Sequence, residues 1–167
     1  KSLEPNLFGT DEFIHLCRQL NWEPMLAVNL GTGSPEEAAD WVEYCNASPG
    51  TRFSNLRVTN GYTEPHAVPM WCLGNEMDGN WQLGHTPAVE YAVAAQQAAH
   101  IMRRVDPSIS LIASGSSGPT TATFLDWDRT ILEKLGDLAD YVSLHRYVGN
   151  HDDDTASFLG VSNAIDK

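Results

Sequence analysis

The 167-residue chain has little cysteine, little positive charge and no long apolar run. Its three cysteines, Cys17, Cys45 and Cys72, cannot all pair within one chain, and their wide spacing lacks the CxxC of a zinc or thiol-redox motif. They read as small buried hydrophobes with free thiols, and a reducing, cytoplasmic location is the expectation. Ten Lys and Arg against 22 Asp and Glu leave a formal charge of −12. So acidic a chain suits neither a phosphate backbone nor an anionic membrane, and neither is expected as a partner. No run approaches the ~20 apolar residues of a membrane helix, and Lys1 to Asn6 carry no signal-peptide stretch. Hydrophobic residues still make up 42% and charged ones 19%, an ordinary mix that can fill one globular core.

What is present alternates between two periodicities. Thr10 is placed to cap a helix with Asp11 and Glu12 in its first turn, and Phe13, Leu16, Cys17 and Leu20 follow at helical spacing. Met25 to Val28 form a short apolar run, expected as a parallel strand covered on both faces. Ser34, Pro35 and Glu37 make a capping box with Pro at the first helical position, leading into Ala38, Trp41, Val42 and Cys45. After a long polar connection, Met70 to Leu73 form a second strand that ends in Gly74, Asn75 and Glu76. Thr86-Pro87 opens a helix marked by Tyr91, Ala95, Ala98, Met102 and Val105, which Asp106-Pro107 stops. Leu111 to Ala113, a helix containing Phe124, Trp127, Ile131 and Leu135, and a strand from Tyr141 to His145 complete the pattern.

Such alternation predicts an α/β fold with a parallel sheet. An open nucleotide-binding sheet should carry GxGxxG or a P-loop in its first βα turn, and neither is present. Gly31 to Ser34 looks like a phosphate loop but lacks the P-loop Lys and the third glycine. Polar residues instead gather just after each strand: Asn29, Asn75 with Glu76, Ser114 with Ser116, and His145 with Tyr147. In a barrel these positions share the carboxyl-end mouth, where active sites are built. A full barrel takes roughly 250 residues, so the pattern reads as a partial (β/α)8 TIM barrel.

Asn75-Glu76 carries the chemistry. A carboxyl among apolar walls has a raised pKa and can donate its proton to a leaving group. The neighbouring amide can both donate to and accept from a hydroxyl, and Trp81 offers an apolar platform for a sugar ring. By residue type alone, a glutamate after a strand is more often a helix-end charge or a salt-bridge partner.

The string Trp71-Cys72-Leu73-Gly74-Asn75-Glu76-Met77-Asp78-Gly79 resembles the acid/base segment of glycoside hydrolase family fifty-one, the α-L-arabinofuranosidases. Further likeness lies in residues 8–13, 27–32, 42–46 and 143–147, so it covers nearly the whole chain. The resemblance implies a (β/α)8 barrel with a β-sandwich domain, retaining release of terminal α-L-arabinofuranosyl groups, and no metal or organic cofactor. It implies that these are strands three to six, with residues 1–167 a partial catalytic barrel and the other strands and the sandwich outside the chain. Glu76 then matches the general acid/base and Asn75 the residue binding the sugar 2-hydroxyl. His145 and Tyr147 match active-site residues, Tyr147 orienting the nucleophile. Asn29 and Trp81 match segments near the mouth without a firm contact. An arabinose-containing oligosaccharide is the implied partner, and homo-oligomers, often hexamers, are implied by family habit.

A retaining glycosidase needs a second carboxyl group ~5–5.5 Å from the first. The family places that glutamate after strand seven, and beyond Glu133 every acid here is an aspartate. The run His151-Asp152-Asp153-Asp154 reads as a solvated loop rather than a metal site. The chain alone is therefore expected to be inactive. Other readings remain open: another retaining barrel glycosidase of the same clan, such as a xylosidase or endo-glycanase, a non-catalytic carbohydrate-binding or scaffold domain, or a nucleotide-binding α/β domain.

Overall fold

In the computed structural model, which describes residue 3, residues 5–147 and residues 154–160, four short strands form one parallel sheet. They are β1 (Met25–Ala27), β2 (Met70–Leu73), β3 (Ser110–Ser114) and β4 (Tyr141–Ser143), lying side by side in chain order. The helices are α1 (Thr10–Leu20), α2 (Pro35–Asn46), α3 (Arg52–Thr59), α4 (Ala88–Val105), α5 (Asp126–Leu135) and α6 (Thr155–Gly160). Chain-order strands with α4 packed between α2 and α5 mean that every crossover advances in the same direction. An open doubly wound sheet reverses direction and puts helices on both faces, whereas a barrel does not. The fold is thus an arc of a (β/α)8 barrel.

Register divides the sheet into two faces. Leu26, Trp71 and Leu111 lie abreast, as do Leu73, Ala113 and Val142, and these rows pack under the helices. Ala27, Cys72, Ile112 and Tyr141 form the alternate row, toward the barrel axis. On that side Met25 and Ala27 are exposed, so β1 is covered on one face only, contrary to the two-sided burial its apolar run suggested. All three cysteines are buried and free, as their spacing indicated, and burial pushes the Cys45 thiol up to about 12.

Several boundaries differ from the sequence reading, each for a local reason. Gly9, not Thr10, is the N-cap of α1, its N–H donating to the Glu12 carboxylate at 2.9 Å, while the Thr10 hydroxyl accepts from Trp41 Nε1 at 3.1 Å. Ser34 caps α2 as expected: its Oγ accepts from Glu37 N, and the Glu37 carboxylate accepts from Ser34 N. Phe124 precedes α5 instead of lying within it, and β4 ends at Ser143, before Leu144 and His145. The supposed polar connection contains α3, whose buried residues are Ser54 and Arg57. Arg57 is fully buried and donates to the carbonyls of Tyr44, Tyr62 and Thr63, so a cation anchors this helix where apolar periodicity would have announced one. Of the acidic run 151–154, only Asp154 lies within the described residues, where it accepts from Ser157 N and Oγ at the start of α6. Among the described residues no helix is long and apolar enough to cross a membrane, and no group of three potential ligands could hold a metal ion.

Two buried aromatics fix the strand ends. Tyr91 Oη donates to Leu73 O at 2.7 Å and accepts from Ser114 N at 2.8 Å, which ties the end of β2 to the end of β3. Trp127 stacks on Tyr91 with centroids 5.2 Å apart, and its Nε1 donates to Ser114 O at 2.8 Å. Replacing Tyr91 by Phe would leave a buried carbonyl and a buried N–H without partners, each costing about 1–3 kcal/mol. Urea unfolding of the Tyr91→Phe protein is expected to show a loss of about 2 kcal/mol or more; a loss near zero would contradict this role.

Candidate active site

The site grows from a sharp change of direction after β2. Gly74 has φ +87°, and a Cβ there would meet the Met77 side chain at 2.7 Å, so the close packing of Met77 requires glycine. Glu76 sits at φ +49°, a left-handed conformation that costs a non-glycine residue about 1–3 kcal/mol and persists only where neighbours enforce it. Its carbonyl accepts from Gly79 N at 2.9 Å, closing a tight turn around Met77 and Asp78. Gly79 leaves room for the indole of Trp81, which a Cβ would meet at 2.5 Å. The indole folds back across the turn, and Trp81 Nε1 donates to Glu76 Oε2 at 2.7 Å.

The other carboxylate oxygen faces β4. His145 Nδ1 lies 2.9 Å from Glu76 Oε1, although the two residues are 69 positions apart in sequence. Glu76 is only 6% exposed. It does not point to the outer wall, and its head is held between an imidazole and an indole. The direction of its pKa corrects the sequence expectation. Hydrogen bonding to His145 favours the ionised form most, opposed by burial and reinforced by Trp81, the charge of His145 and Gln82, so the carboxyl titrates below its usual value of 4.5. Burial acts as foreseen, but it is outweighed by donors whose proximity the linear sequence does not display.

The remaining candidates take different positions. Asn75 and Asn29 both line a cleft of about 190 Å³ between the ends of β1 and β2, with Gln82 and Leu83 on its far side. Asn75 is exposed. Asn29 is largely committed to its own loop: Oδ1 accepts from Gly31 N and Thr32 N, and Nδ2 donates to Thr32 Oγ1 at 2.8 Å. These bonds, with Glu37 on the N–H of Ser34, fill the positions a phosphate would need in the loop from Gly31 to Ser34. Tyr147 is 87% exposed, on the segment that follows His145. Ser114 and Ser116, grouped with the mouth residues by sequence, are buried and serve the scaffold instead. Ser116 N and Oγ donate to Asp128 at 2.8 and 2.6 Å. Sequence inspection gave no role to Gln82, which hydrogen-bonds Glu76 from the same loop, or to Asp78, whose partners Ser117 and Thr123 come from the loop after β3.

The loop after β2 also touches the loop after β1 through bare main chain. A Cβ on Gly84 would lie 2.2 Å from Gly31 O, and one on Gly31 would lie 2.5 Å from Leu83 O.

A carboxylate at the end of a parallel strand, faced by a histidine from the end of another strand, defines a strand-end site in a segment of a (β/α)8 barrel. The description "Alpha-L-arabinofuranosidase 1 domain" matches residues 1–162, and the chain belongs to that family. Over 166 residues it is 47% identical to the intracellular exo-alpha-(1->5)-L-arabinofuranosidase of Acetivibrio thermocellus, covering 99% of this chain and 33% of that protein. It is 45% identical over 147 residues to an exo-alpha-(1->6)-L-arabinofuranosidase of Bifidobacterium longum, covering 87% of this chain and 28% of that protein. A solved family 51 alpha-L-arabinofuranosidase from Bifidobacterium longum superposes with a TM-score of 0.86 at 41% identity, over 94% of this chain and 32% of that one. The chain thus spans about a third of the length of the relatives it matches.

Because hydrogen bonds hold the Glu76 carboxyl below 4.5, the ionised group stabilises the fold above that pH, and the contribution fades as pH falls through the depressed value. His145→Ala and Trp81→Phe are each expected to move the Glu76 titration upward, with the larger shift for His145→Ala. Carboxyl-carbon NMR of glutamate-labelled full-length protein reads this directly, and a downward shift in either variant would contradict the assignment of donors.

Proposed function

We propose that this chain forms the acid/base part of a retaining glycoside hydrolase site that releases terminal α-L-arabinofuranosyl groups from arabinose-containing oligosaccharides inside the cell. The observation that carries the reading is Glu76, buried at the end of β2 and oriented by His145 and Trp81. Family membership and the activities for which the relatives are named supply the sugar. In this reading Asn75 holds the sugar 2-hydroxyl, Trp81 borders the leaving group, and Tyr147 meets the second carboxylate.

In the first half-reaction Glu76 gives its proton to the departing oxygen while the second carboxylate attacks the anomeric carbon. In the second, ionised Glu76 takes a proton from water. The low pKa of Glu76 within this segment fits the second role. A neighbouring negative carboxylate would raise it for the first role, and loss of that charge on glycosylation would let it fall again. Asp78, nearby in sequence, cannot be that carboxylate because Ser117 and Thr123 occupy it. The 167 residues alone are accordingly expected to release no arabinose from an aryl arabinofuranoside.

Glu76→Ala in the full-length enzyme tests the reading. An acid/base contributes about 10²–10⁴-fold, and the loss should grow as the leaving group becomes more basic. Aryl arabinofuranosides should be cleaved in preference to aryl xylopyranosides. Unchanged activity would favour a structural role for Glu76, and preference for the xyloside another glycosidase of the same clan.

A further inference from the structure

We propose that Asp78 is a positioning residue for Glu76: through Ser117 and Thr123 it locks the turn after β2 onto the loop after β3, and so sets where Glu76 meets His145. The inference rests on the reading of Glu76 as acid/base. Asp78 Oδ1 accepts from Ser117 Oγ and, at 3.2 Å, from Ser117 N, while Oδ2 accepts from Thr123 Oγ1 at 2.8 Å. Asp78 lies inside the turn closed by Gly79 N on Glu76 O, so its displacement is passed to a backbone already held in a narrow left-handed well.

The adjoining residue of the same loop holds the histidine. Ser116 O accepts from His145 N at 3.2 Å, and Gly115 N donates to Ser143 O at 3.0 Å. A Cβ on Gly115 would lie 2.3 Å from Ser143 O, so the two backbones meet with no space for a side chain. The loop is fastened to α5 by Asp128 on Ser116, and the strand end before it by Trp127 on Ser114. Glu76 and His145 are therefore registered against successive residues, Ser117 and Ser116, of a loop that places no side chain on the carboxylate. A carboxylate can accept from all three donors facing Asp78, whereas an amide would turn N–H groups toward one of them.

The test uses the full-length enzyme with two arabinofuranosides, a methyl glycoside that needs proton donation and a 2,4-dinitrophenyl glycoside that departs nearly unaided. Asp78→Asn should lower kcat/KM for the methyl glycoside by roughly 10–100-fold, the scale of an ångström-sized misplacement, and leave the dinitrophenyl value within about threefold. Thr123→Val should act in the same direction with a smaller effect, and Thr123→Ser should match the parent. If Asp78→Asn does not fold, the Thr123 pair decides. Equal losses on both substrates, or no loss on either, would overturn the proposal. Glu76→Ala measured in parallel separates the failures: without leaving-group dependence there, the acid/base reading falls, and with it there but not at position 78, only the positioning role does.

Discussion

The grip of Tyr91 and Trp127 on the backbone of Ser114 is the constraint from which the rest of the site follows. One ring hydroxyl serves the last carbonyl of β2 and the last N–H of β3, and one indole serves the carbonyl of the same serine. Both aromatics come from the helix layer, so the strand ends are positioned from behind, by the core, and not from the mouth. Buried polar groups must find partners, which makes this arrangement all-or-none. The turn at Glu76 and the loop at Ser116 then start from one fixed level.

From that level the side chains converge by different routes. Glu76 reaches the mouth through a left-handed backbone stabilised by its own turn, and His145 through a segment extending beyond the β4 ladder. The strain at Glu76 is tolerated because several independent contacts enforce it: Gly74 with Met77, Gly79 with Trp81, and the imidazole on the carboxylate. Function is concentrated where local backbone preference is overruled.

The same division explains what could be read from the letters alone. The capping box at Ser34, the apolar strands and the helix stop at Asp106 depend on neighbours within a few positions, and the structure reproduces them. Helix α3 was illegible because it buries a serine and an arginine in place of an apolar stripe. Asn75-Glu76 was recognisable as a strand-end pair, but the direction of the Glu76 titration depends on a histidine from another βα unit. The role of Asp78 was not legible for the same reason, its partners being 39 and 45 residues distant. Local chemistry is written locally, and the electrostatics of a barrel mouth is not.

The meeting of Gly31 and Gly84 limits how this pocket can diverge. Where two loops cross with only hydrogen at both α-carbons, exchanging residue types cannot widen or narrow the opening without driving the strands apart. On that flank, adaptation to a bulkier or slimmer ligand would have to come from insertions or deletions that reroute a loop, leaving the crossing itself untouched.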